Sequence, residues 1–154
     1  MGRIPTVEGI PPLSGPSDYS EPVKLQIELP PKPEVAGLAR KLLSVLLADE
    51  PPDLRDDVCL LTDELISNSL RHARLDRTDR IGLLAKVDPN RVYVQVCDPG
   101  VAGYPSLRTP NPDDTHGRGL FLLDALAHEW GVRRQDTTCV WFEMALEKAE
   151  AQVG

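Results

Sequence analysis

The sequence predicts an α/β domain of the two-layer α+β kind, with a mixed, mostly antiparallel sheet and three helices packed on one face. Three observations lead there. Short runs near residues 23–29, 81–97 and 130–146 carry the strand signature, clearest where Val23, Leu25, Ile27 and Leu29 alternate with polar residues. Three other runs space their apolar residues three and four apart, as helices covering a core do. The order of the runs is strand, two helices, hairpin, long loop, helix, hairpin, which implies a sheet covered by helices on one face.

Taken in order, residues 1–22 hold five of the 15 prolines with little periodic apolar content, and are expected to form a flexible tail. The first strand runs from Val23 to Leu29 and is stopped by Pro30 and Pro31. A helix follows between Glu34 and Ala48, with Leu38, Leu42, Val45 and Leu46 as its apolar stripe, and Pro51 and Pro52 end it. The second helix extends from Asp53 to about Arg74 without Gly or Pro, and Val58, Leu61 and Leu65 face inward. Ile81–Val87 and Arg91–Cys97 form a hairpin around Asp88, Pro89 and Asn90. Between Asp98 and Gly117 lies an irregular stretch with four prolines, a length that compact domains reserve for lids and binding loops. Leu120, Leu123 and Ala127 belong to a short helix, and Trp130–Arg134 and Thr138–Leu146 are the closing strands. The domain is thus expected over residues 23–147, with a polar tail at 148–154.

Bulk properties narrow the function. The 154 residues suit one core and are too few for two comfortable domains. A net charge of -7 gives no broad attraction to nucleic acid or anionic lipid, so neither is expected as a direct partner. The first 14 residues lack the apolar segment of a signal peptide, and no run reaches transmembrane length, so a reducing cytoplasm is the expected location. Cys59, Cys97 and Cys139 share no short spacing, and neither a disulfide framework nor a zinc site is readable from them. Cys59 and Cys139 fall within apolar patterns and are expected, like Trp130 and Trp141, to be core residues without chemistry.

Polar residues at particular places suggest a nucleotide site. Glu64 and Asn68, four apart on the second helix, project together at the edge of the Leu61 and Leu65 stripe. An amide carbonyl there suits Mg²⁺, and a neighbouring carboxylate suits a proton acceptor, the two roles phosphoryl transfer requires. Asp98 closes an apolar strand and is followed by Pro99 and Gly100, so a carboxylate meets bare backbone where an exocyclic amine could lie. Gly117, Arg118, Gly119 and Leu120 open the third helix, presenting amides to a phosphate. Each alone is equally compatible with a solvated helix flank, a tight turn or a flexible helix entrance.

Together, Asp63–His72, Cys97–Gly100 and Gly117–Leu120 resemble the three nucleotide boxes of the GHKL ATPase superfamily, which includes gyrase and sensor histidine kinases. The closer likeness is to small stand-alone members, the anti-sigma factor serine/threonine kinases of Gram-positive bacteria and their actinobacterial relatives, supported by Trp130-Gly131 and by Val140-Trp141-Phe142-Glu143. The resemblance implies the Bergerat fold, ATP and Mg²⁺ as cofactors, Glu64 as catalytic base and Asn68 as metal ligand. It further implies Asp98 as the adenine contact, Gly100 shaping its pocket, and Gly117, Arg118, Gly119 and Leu120 at the phosphates. Where the last box usually has Gly-Thr-x-Val, this chain has Thr137-Thr138-Cys139-Val140, so Thr138 keeps the adenine contact without the glycine. Ala102 replaces the second glycine of Asp-x-Gly-x-Gly, and Arg108 is the lid's one Lys or Arg. His72 is expected to cap or pack rather than to catalyse.

The implied function is transfer of the γ-phosphoryl group of Mg·ATP to a Ser or Thr of an antagonist protein, sequestration of a sigma factor, or both. The partners would be that sigma factor and antagonist, and a homodimer is allowed for. The alternative is a non-catalytic ATP-binding module that only sequesters its partner. A histidine kinase is disfavoured because residues 1–22 are too few and too rich in proline for a dimerising hairpin. A metabolic hydrolase is disfavoured because no nucleophile triad or metal cluster is visible.

Overall fold

The computed structural model describes residues 23–100 and 118–146, apart from the side chains of His72 and of residues 118–120. The expected tails and most of the long loop, with Arg108 and Gly117, lie outside the described residues. The elements are β1 (Val23–Leu29), α1 (Val35–Leu46), α2 (Pro52–His72), β2 (Ile81–Asp88), β3 (Arg91–Asp98), α3 (Arg118–Leu126), β4 (Glu129–Arg134) and β5 (Thr138–Ala145). They form a two-layer α+β fold in which one sheet, ordered β1-β2-β3-β5-β4, is covered by helices on one face. All four pairings are antiparallel, which gives the mostly antiparallel sheet expected and leaves no parallel pair among the described strands.

Local chemistry explains the boundaries. Pro52 begins α2, a position where proline's missing N–H is not needed and its φ already suits a helix. The β2–β3 turn is closed by Asp88, whose Oδ1 accepts hydrogen bonds from the backbone N–H groups of Asn90 (2.7 Å) and Arg91 (2.9 Å).

Strand periodicity sorts the sheet's two faces. Leu25, Ile27 and Leu29 of β1, Ile81, Leu83 and Ala85 of β2, Val92, Val94 and Val96 of β3, and Val140, Phe142 and Met144 of β5 pack into one core with the helices. From α2 come Val58, Leu61 and Leu65, as the spacing predicts, and from α3 Leu123.

The α1 stripe differs from expectation. Val35, Ala39, Leu43 and the following Leu47 are buried, whereas Leu38 and Val45 are 44% and 76% exposed. The helix is apolar on more than one row, so spacing does not choose between them. Packing does: the row with small Ala39 lets α1 lie close to α2, where the Cys59 thiol approaches the Arg40 carbonyl (3.9 Å) and Ser44 Oγ (3.8 Å).

Trp141 also departs from the core assignment, and Cys139, buried as expected, lies on the outer face of the sheet. Because Val140 and Phe142 point inward, the intervening residues must point outward. Trp141 stacks on Tyr93 with ring centroids 5.9 Å apart on the face away from the helices. The nearby Arg133 guanidinium donates hydrogen bonds to Gln95 and to the Tyr93 hydroxyl, and Arg91 pairs with Glu143 at 2.8 Å. Cys139 faces Cys97 across the β3–β5 ladder and is bonded to it, Cα–Cα 4.0 Å. The sequence offers no sign of this pairing because the partners are 42 residues apart and are opposed only by strand register. Cys59 is the buried free thiol, in the core as expected.

Candidate functional site

The site forms where the C-terminal half of α2 meets the ends of β3 and β5. On α2 the inward row Leu61, Leu65 continues one turn on to Ser69, a polar residue in an apolar register. Ser69 Oγ donates a 2.5 Å hydrogen bond to Oδ2 of Asp98, the last residue of β3. The backbone N–H of Gly100 donates to Oδ1 of the same carboxylate at 2.7 Å. Thr138 opens β5 directly opposite Asp98 in the ladder, and is buried. Three residues of the expected adenine site, Asp98, Gly100 and Thr138, are therefore brought together, with Ser69 as an unforeseen fourth.

The electrostatics of Asp98 follow from its surroundings. It is 2% exposed, and burial pushes its carboxyl above the ordinary carboxylate range. The Ser69 hydroxyl and the Gly100 amide oppose that rise by stabilising the charged form, and the negative charge of Asp79 adds to it. A carboxylate with two donors already fixed is oriented before any ligand arrives, and an unused lone pair can accept a further hydrogen bond.

Asn68 and Glu64 precede Ser69 on α2. Asn68 is 7% exposed, and its Oδ1 is buried without a hydrogen-bond partner among the described residues. An orphaned amide carbonyl costs about 1–3 kcal/mol unless a ligand satisfies it. A hard oxygen of this kind fits Mg²⁺, which keeps waters and phosphate oxygens for its other positions and needs no dense ligand cage. No cluster of three or more His, Cys, Asp or Glu suited to a metal is found among the described residues. Glu64 lies one turn earlier and is half-buried, so its carboxylate keeps access to solvent.

Arg118, Gly119 and Leu120 form the first turn of α3, which packs against α2. The four amides of such a turn have no partner within their own helix, the feature that suits it to phosphate.

The opposite face of the sheet holds a recess of about 300 Å³ bounded by Gln26, Glu28, Gly82, Leu84, Gln95 and Cys97. It is separated from Asn68 by the sheet itself and is not part of this site.

Two features escape sequence reading. Ser69 had a signal, since it occupies the next inward position after Leu61 and Leu65. The Cys97–Cys139 bond had none, because β3 and β5 are not consecutive strands.

The profile of a family described as a histidine kinase-like ATPase domain matches residues 29–144. No curated protein matches the chain.

Proposed function

The chain belongs to the histidine kinase-like ATPase domain family, of the ATP-binding GHKL type, and from that premise we propose that it acts as a Mg·ATP-dependent serine/threonine protein kinase of the anti-sigma factor type. Its substrate would be a hydroxyl on an antagonist protein, and its second partner a sigma factor held by the same domain. The observation that carries this reading is the buried Oδ1 of Asn68, without a hydrogen-bond partner among the described residues, next in the chain to Ser69, which together with Gly100 fixes the Asp98 carboxylate.

When bound, Mg·ATP supplies an electrophilic phosphorus and the cation that spreads charge over the phosphate oxygens. The chain's own residues do the rest. Asp98 would accept a hydrogen bond from the adenine amine, with Thr138 across the ladder as its companion. Asn68 Oδ1 would hold the metal, Glu64 would take the proton of the attacking hydroxyl, and the first turn of α3 would present amides to the phosphates. The proposal places the protein in the cytoplasm, in keeping with the absence, among the described residues, of a helix long and apolar enough to cross a membrane.

A second reading rests on the altered last box. The glycine expected before Thr138 is Thr137, whose hydroxyl lies 3.6 Å from the sulfur of Cys139 in a cross-strand bond, so a module that binds ATP and sequesters its partner without phosphorylating it is also supported.

Calorimetry with ATP in the presence and absence of Mg²⁺ tests the binding site: Asn68→Ala should lose the Mg²⁺-dependent component, and unchanged affinity would refute the ligand role. Label transfer from γ-labelled ATP to a co-purified partner separates the readings. The kinase labels its partner and Glu64→Ala does not, whereas the sequestering module holds it unlabelled.

A further inference from the structure

The cysteine pair on the outer face stands one rung from the nucleotide site. Cys97 and Cys139 are opposed in the ladder, and the next rung is Asp98 with Thr138. Alternation sends the sulfurs to the face without helices and sends Asp98 and Thr138 toward α2, so the bond lies behind the site and not in it. That rung is also the last of the β3–β5 ladder, since β3 ends at Asp98 and β5 begins at Thr138. The chain between the two cysteines carries all of α3, so their bond fastens both ends of the segment that bears the proposed phosphate contacts. With the bond open, the terminal rung keeps its ladder hydrogen bonds and the Ser69–Asp98 contact but loses its covalent tie, at a place where strands fray most easily.

We propose that Cys97 and Cys139 form a dithiol/disulfide switch that sets the affinity of the Asp98–Thr138 site for nucleotide, the oxidised form binding more tightly. The inference rests on the ATP-binding reading. The bond restrains the two residues in the arrangement that receives the base, so less ordering remains to be done on binding. In a reducing compartment a bond of this kind is a transient one, made and broken with redox state.

The reductant is a dithiol, of the class found in small redox proteins. Its thiolate attacks Sγ of Cys97, which is 8% exposed and lines the recess of about 300 Å³ on the outer face. The S–S bond breaks with its electron pair on Cys139 Sγ, which takes up a proton. The donor's second thiol then displaces Cys97 as a thiol, so the protein gains two electrons and two protons and the donor becomes a disulfide. Cys59 takes no part: it sits between α1 and α2, beside Ser44 and Arg40.

The test compares the full-length protein in two states, oxidised and reduced with a phosphine, each verified by thiol alkylation and mass measurement as exposing one and three free cysteines respectively. Titration with Mg·ATP should give a dissociation constant about five-fold or more lower for the oxidised protein. By reciprocity, the nucleotide should shift the disulfide equilibrium in a dithiol buffer by the same factor. Cys59→Ser should keep the difference, and Cys97→Ser should bind as the reduced protein does in either condition. Equal affinity of the two verified states overturns the switch while leaving ATP binding intact. Alkylation of all three cysteines in protein isolated under oxidising conditions also overturns it. Absence of binding in both states overturns the ATP reading, and the switch with it.

Discussion

The hydroxyl of Ser69 on α2 is bound to the carboxylate of Asp98 at the end of β3, 2.5 Å apart, and this contact ties the helix of the expected metal and base residues to the strand of the expected adenine residue. Its removal should be felt both in folding and in binding. Ser69→Ala leaves a buried carboxylate with Gly100 N–H as its one remaining donor among the described residues. Hydrogen bonds to charged groups contribute about 1.5–3 kcal/mol, and urea unfolding at neutral pH should show a loss of that size. Unchanged stability would mean that water replaces the hydroxyl at no cost.

Asp98→Asn should separate stability from binding. Burial raises the folded carboxyl above its ordinary value of 3.8, so between that pH and the folded value the folded state holds more protons than the unfolded. The contribution of Asp98 to stability therefore falls as pH rises through that window, and at neutral pH the charge is a net cost. The amide removes the cost while still accepting from Gly100 and donating to Ser69. The variant should be at least as stable as the parent at pH 7, should lack this part of the decline above pH 3.8, and should bind ATP roughly ten-fold or more weakly. Binding equal to the parent's would remove Asp98 from the adenine site.

The cross-strand bond should contribute to stability as well as to affinity. Its partners are 42 residues apart, and the chain-entropy account gives a loop of about that length roughly 4 kcal/mol. Denaturation with and without reductant measures it, with Cys97→Ser as the control that should not respond.

Gly131 on edge strand β4 lies opposite Trp141, and a methyl group there would meet the indole at 2.9 Å. The ring cannot easily retreat because Tyr93 stacks on it. Gly131→Ala should therefore destabilise by about 1–3 kcal/mol, with loss of the Trp141–Tyr93 stacking visible in near-ultraviolet circular dichroism.

Much of this architecture is legible in the sequence because local rules suffice for it. The alternation of Val23 to Leu29, the proline stop before α2 and the turn at Asp88 to Asn90 depend on neighbours in the chain. The stripe on α1 is not legible, since Leu38 and Leu43 have equal claims until α2 approaches and the Ala39 row wins. Trp141 is large and apolar, yet it lies outside the core because Val140 and Phe142 occupy the inward register. At the site, Asp98, Gly100 and Thr138 lie together, whereas Gly117 is outside the described residues. The Ser69 bond and the cysteine pair depend on contacts between non-adjacent elements: helical spacing turns Ser69 inward but does not name its partner, and nothing in the spacing pairs the cysteines.

The strand order has a consequence for where the protein opens. β3 and β5 are interior strands with partners on both sides, whereas β1 and β4 are edges paired on one side only. Asp98 and Thr138 form the end rung of the interior pair, and Asp98 lies one residue past the last rung with β2, at Cys97, so the pair can loosen at this end while its body stays closed and the edges detach singly. Amide exchange should accordingly be slowest along Val92 to Val96 and Val140 to Met144 and fastest at the rims of the sheet. The body of the sheet would then be the last cooperative unit to come apart, and fluctuations that admit or release a nucleotide would arise from its end rung and the helical layer.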